Sequence, residues 1–72
     1  METAGTISIV VNGEAQSAAN GATVLQLLES LGLRAGRVAI ERNLQILPRS
    51  DWATTQVVAG DHYEIAQFVG GG

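Results

Sequence analysis

Cysteine is absent from the 72 residues, so no disulfide, thiolate zinc site, iron–sulfur cluster or cysteine nucleophile can form within the chain. Small secreted domains usually depend on disulfides, and their lack points to a reducing, cytoplasmic setting. Lysine is absent too. The four cations are Arg34, Arg37, Arg42 and Arg49, set against seven acids for a net charge of −3. That balance argues against a nucleic-acid partner, which calls for a basic stripe, but leaves room for a basic protein partner. No apolar run approaches the ~18 residues of a membrane span. The opening Met1-Glu2-Thr3-Ala4-Gly5 starts acidic, unlike a signal peptide. With one histidine and one each of proline, tryptophan, tyrosine and phenylalanine, the chain holds no recognisable triad, metal cluster or phosphate loop.

What is present reads as one domain over residues 1–72, with a polar lead at 1–5 and a flexible end at 70–72. The length is half of the roughly 150 residues expected per domain. A chain this small hides only about 60% of its unfolded surface, enough for one thin core and little room for an enclosed active site. Hydrophobic residues make up 46% and charged ones 15%, a globular balance.

Residues Thr6 to Val11 alternate, with Ile7, Ile9 and Val11 on one face, and predict a β-branched strand. Asn12-Gly13 follows, and both central residues of a type I′ turn need positive φ, so Glu14 to Ala19 should return as a second strand. After Asn20-Gly21, Thr23 and Gln26 have capping-box spacing. Val24, Leu25, Leu27, Leu28 and Leu31 then form one apolar helical stripe. Gly32 suits the left-handed position after the helix, with Leu33 folding back onto Leu28. Arg37 to Arg42 is expected as a third strand with Val38 and Ile40 inward, Asn43 as a left-handed turn residue, and Leu44 to Leu47 as a short fourth strand that Pro48 ends. Pro48 to Trp52 should make a single helical turn that Ser50 could cap. Ala59-Gly60-Asp61 should turn into a last strand over His62 to Val69. Tyr63 and Ile65 share one face of it; Glu64, Ala66 and Phe68 share the other. The order β-β-α-β-β-β predicts an α+β domain, one helix packed on one sheet.

Asp51, Asp61 and His62 are the only side chains that could begin a catalytic site. Each has a plainer reading: Asp51 caps a turn, Asp61 lies in one, and His62 is a solvated surface histidine. An enzyme of its own is not expected here, nor is a bound cofactor or metal. The terminal Gly70-Gly71-Gly72 could be a frayed end. It follows directly on a strand, however, and glycine lacks the Cβ that would block a narrow channel. A free α-carboxylate ordinarily titrates at about 3.3–3.7 and is ionised at neutral pH. It can attack the α-phosphate of ATP to give an acyl-adenylate open to a sulfur nucleophile.

The strand order, Ile46-Leu47-Pro48-Arg49-Ser50-Asp51-Trp52, Gly60-Asp61, and Phe68-Val69-Gly70-Gly71-Gly72 resemble the ThiS family, ubiquitin-like sulfur carriers of thiamine biosynthesis. The likeness covers residues 6–72 and departs at Leu44, where such proteins often place a small or polar turn residue. It implies a β-grasp fold, a mixed sheet of four to five strands on one helix with a flexible Gly-Gly tail. It further implies that a ThiF-like enzyme adenylates Gly72 at the expense of ATP, and that a cysteine-derived persulfide converts the terminus to a thiocarboxylate. The thiazole synthase ThiG would then use the sulfur. Gly70 and Gly71 would thread the enzyme channel. Phe68, with Ala66 and Ala39 on the open face of the sheet, would dock the partner, the free protein being a monomer. Other readings share these residues: the small subunit of molybdopterin synthase, a modifier attached to lysines, or a binding module whose glycines are idle.

Overall fold

In the computed structural model, which describes residues 5–68, Asn12 and Gly13 both take positive φ, at 50° and 82°. They fold β1 (Thr6–Val11) onto β2 (Glu14–Ala19) in the antiparallel register of Val11 with Glu14 and Thr6 with Ala19. The turn thus sets the register, as a two-residue connection should.

Helix α1 (Val24–Ser30) carries both ends written in its sequence. Thr23 accepts from the Gln26 N–H at 3.1 Å, and the Gln26 side chain accepts from the Thr23 N–H at 2.9 Å. At the other end Gly32 has φ 75°. The Gly32 N–H donates to the Glu29 carbonyl at 3.0 Å and the Leu33 N–H to the Leu28 carbonyl at 3.1 Å, the two bonds of a Schellman cap. Leu31 is the C-cap residue rather than part of the helix, because Gly32 unwinds the chain immediately after it.

The remaining strands are β3 (Val38–Arg42), β4 (Gln45–Leu47) and β5 (His62–Gln67). Arg37 belongs not to β3 but to a 3₁₀ turn over Ala35–Arg37. Leu44 is not in β4; it has φ 72° and forms the β3–β4 turn with Asn43. A 3₁₀ turn at Arg49–Asp51 follows Pro48. Ser50 lies inside that turn and does not cap it, since Pro48 holds the cap position without a side-chain bond. β5 stops at Gln67, short of the expected Val69, and Phe68 lies just past it.

The five strands form one mixed sheet in the order β2-β1-β5-β3-β4. β5 sits between β1, to which it runs parallel, and β3, to which it runs antiparallel. One face carries Ile9, Val11, Ala18, Val38, Ile40, Tyr63 and Ile65, all buried against Val24, Leu27 and Leu28 of α1. This is the β-grasp arrangement. Trp52 and Val57, from the connector before β5, close the core. The Trp52 indole donates to the Leu47 carbonyl at 2.9 Å. The connector is tied to the start of the helix where the Val24 N–H meets the Thr55 carbonyl at 2.8 Å and the Val57 N–H meets that of Ala22 at 2.9 Å. Among the described residues no helix is long and apolar enough to cross a membrane.

Candidate functional site at the end of the last strand

β5 is the last strand among the described residues, and its neighbours hold it from both sides. The alternation expected for it is what the structure shows. Tyr63 and Ile65 are buried toward the helix, while Glu64 and Ala66 are exposed on the opposite face. Ala66 lies directly across from Ala39, also exposed, so the pair leaves a shallow floor on the open face. At its end the Phe68 N–H donates to the Arg37 carbonyl at 2.8 Å, fixing the point of departure. Phe68 is 58% exposed. Fully burying such a side chain is worth about 1.5–3 kcal/mol, and this protein leaves much of that for another surface to gain. Beneath it lies an open hollow of about 290 Å³ lined by Gly32, Leu33, Arg34, Arg37, Gln67 and Phe68. Its two arginines were not singled out from the sequence. Their signal is local: half of the cations fall within four residues just before β3.

The residues Gly70, Gly71 and Gly72, expected to form the reactive tail, lie outside the described residues.

The other end of β5 is built differently. Asp61, expected only as a turn residue, is 5% exposed. Its carboxylate receives Arg42 Nε at 3.1 Å, Asn43 Nδ2 at 3.0 Å, the Val58 N–H at 2.9 Å and the Tyr63 hydroxyl at 2.8 Å. Burial alone would push the carboxyl up, but these donors, the Val58 N–H foremost, hold it below the usual carboxylate range. Burial and the bond to Asp61 push the Tyr63 hydroxyl up to about 12. Burial works against the Arg42 charge, and Tyr63 and Asp61 outweigh it, so the guanidinium is held more firmly protonated than usual. Asp61 therefore acts as a structural tie between the β3–β4 turn, the connector and β5. His62 next to it is exposed and presents its N–H to Asn43 Oδ1 at 2.9 Å. Asp51 is exposed in its 3₁₀ turn, and it is the backbone carbonyl, not the carboxylate, that accepts from Thr55 at 2.7 Å. Asp51, Asp61 and His62 form no common site. Ala66 and Ala39 lie side by side on the open face, while Phe68, just past β5, is exposed and borders the hollow with Gly32, Leu33, Arg34 and Arg37.

The match to known proteins covers this same framework. The ThiS family model matches residues 9–72. The sulfur carrier protein ThiS of Escherichia coli is 39% identical over 66 residues, 92% of this chain and 100% of that protein. A thiazole synthase of Paramagnetospirillum magneticum is 44% identical over 66 residues, but the chain spans only 20% of its length. Among solved structures, the crystal structure of ThiS from Geobacter metallireducens superposes with a TM-score of 0.78 at 33% identity, covering 92% of this chain and 100% of that one.

Proposed function

We propose, proceeding from the fact that the chain belongs to the ThiS family, that it is a sulfur carrier of thiamine biosynthesis whose working group is the α-carboxylate of Gly72. The observation that carries this reading is the family match running through residue 72, which takes in Gly70-Gly71-Gly72 together with the strand β5 that precedes them in the sequence. Without Cβ atoms those glycines can enter a channel too narrow for other residues.

The chemistry needs an enzyme other than this one. A carboxylate oxygen attacks the α-phosphorus of ATP and expels pyrophosphate, leaving a mixed anhydride with AMP. A persulfide sulfur then attacks the carbonyl carbon and displaces AMP. A thiol then attacks the donor's sulfur in the resulting acyl disulfide, forming a new disulfide with the donor and releasing the terminus as a thiocarboxylate. The chain is a co-substrate throughout, of a ThiF-like adenylating enzyme and then of a thiazole-forming enzyme. Similarity to a fifth of two proteins named thiazole synthase supports the second partner, since a segment like this chain is part of those polypeptides. Phe68 and, on the open face, Ala66 and Ala39 are the surface offered next to the tail.

ATP–pyrophosphate exchange with the adenylating enzyme of the same organism tests the reading. Deleting Gly72, or adding a residue after it, is expected to abolish exchange at an unchanged melting temperature. Undiminished exchange by the extended chain would contradict it.

A further inference from the structure

The two edges of the sheet are finished differently. β4, at one edge, is three residues long and Pro48 ends it, which are usual protections of an exposed edge. β2, at the other edge, runs for six residues in unbroken one-to-one register with β1. It holds no lysine, no proline and no bulge. The Asn20 N–H donates to the Gly5 carbonyl at 3.0 Å, and bonding alternates along an antiparallel pair. The backbone groups of Ala18, Gln16 and Glu14 therefore face β1, while those of Ala15, Ser17 and Ala19 face outward. The Ala19 carbonyl accepts from the Ala22 N–H at 3.1 Å; the other outward groups have no partner among the described residues. Beside this edge lies a groove of about 370 Å³ between β2 and α1. Ala18, Ala22 and Leu27 line it, with the uncharged Gln26 and Ser30. This flank is also the acidic one. Residues 1–33 hold Glu2, Glu14 and Glu29 and no cation, and all four arginines lie from Arg34 onward.

We propose that the β2 edge and this groove take an extended segment of a basic protein partner, which joins the sheet as an antiparallel strand. Residues directly opposite each other in such a pair share a face. Ala18 is buried toward the helix and Gln16 is half-buried on the same side. The partner residues opposite these two thus point into the groove, and the one opposite Glu14 meets its carboxylate. In its own direction the partner segment reads apolar, any, apolar, any, then lysine or arginine. The small side chains of Ala18 and Ala22 leave the room that β-branched residues fill. A second copy is the poorer occupant, because its own β2 offers alanine, glutamine and glutamate where bulk and a cation are called for. β1 separates this edge from β5, so the site works without the tail and holds the chain while the tail is engaged elsewhere.

The test titrates the isotope-labelled full chain with a blocked peptide of core Ile-Thr-Val-Thr-Lys. Amide shifts are expected at Ala15, Ser17, Ala19, Ala22, Gln26 and Leu27, with the β4 edge unmoved. Ser17→Pro removes an outward donor and none that faces β1, a placement that edge strands tolerate. It is expected to weaken binding by about tenfold in a chain that still folds. Glu14→Lys is expected to weaken binding up to about fivefold, and a peptide with glutamate in place of its lysine should recover the loss. This charge exchange decides the matter if Ser17→Pro does not fold. No binding by the parent, shifts confined to β4 or Phe68, or equal binding of both peptides by Glu14→Lys overturns the proposal. So does a dimer of the free chain that Ser17→Pro dissolves, which assigns the edge to a second copy. The two readings fail separately. Deleting Gly72 is expected to abolish pyrophosphate exchange and leave peptide binding unchanged, and loss of peptide binding on that deletion would contradict a site apart from the tail.

Discussion

The two hairpin turns share a backbone and differ in one residue. Asn12 and Asn43 both sit at φ 50°, and both reach across to β5. Asn12 accepts from the Ile65 N–H at 2.8 Å and donates to the Ile65 carbonyl at 3.1 Å, extending the β1 ladder with a side chain. Asn43 accepts from the His62 N–H at 2.9 Å and donates to the Asp61 carboxylate at 3.0 Å. The residues that follow are Gly13 at φ 82° and Leu44 at φ 72°. Glycine is what this conformation favours; leucine is strained in it. Both turns are therefore tied to β5, but only the second holds a non-glycine residue in the left-handed region, next to the bonds that Asp61 makes. Strain kept in place by surrounding bonds points away from folding as the reason for the residue.

The largest expected effect treats both hairpins alike. Leu28 is fully buried under the sheet, and Leu28→Ala is expected to destabilise by about 2–5 kcal/mol, melting the two hairpins together. Separate transitions would show that they do not share one core.

Asp61→Ala separates them. It removes the acceptor of Arg42, Asn43, Tyr63 and the Val58 N–H, at about 2–4 kcal/mol. Amide exchange should rise more at residues 42–45 than at 12–14; equal rises would break the comparison. The same tie sets the pH response. Because the folded carboxyl of Asp61 lies below its usual value, its contribution is present above the unfolded pKa of about 3.9. That contribution is lost as the pH falls through the folded value. Tyr63 acts at the other limit: with its hydroxyl raised from 10.0 to about 12, stability should fall as the pH rises through that interval.

Exchanging the turn residues gives the smallest effects, of opposite sign. Gly13→Leu is expected to cost about 1–2 kcal/mol. Leu44→Gly should stabilise by up to about 1 kcal/mol, the relief of strain being partly offset by the entropy of glycine. Thermal melts that shift the same way for both would refute the contrast.

Local signals were legible in the sequence where a few adjacent residues carry the physics. Asn12-Gly13, the Thr23–Gln26 capping box and the Gly32-Leu33 cap each act within four residues, and each forms as written. The alternation of β5 placed Glu64 and Ala66 outward because one helix covers only one face. Asp61 was not legible, since its partners stand at positions 42, 43, 58 and 63 and meet only after the sheet closes. Leu44 reads as a strand residue by composition, and only the register of β3 with β4 places it in the turn. The burial of Val57 likewise depends on a connector with no periodicity of its own, held by bonds to residues 22 and 24.

The carrier claim is tested most directly by the intact mass of the chain purified from thiamine-starved cells of its own organism. The expected result is a species heavier by the difference between one sulfur and one oxygen, located by fragmentation at Gly72 and absent when the adenylating enzyme is deleted. A chain that carries only an ordinary carboxylate under starvation, with that enzyme present and active, would contradict the account.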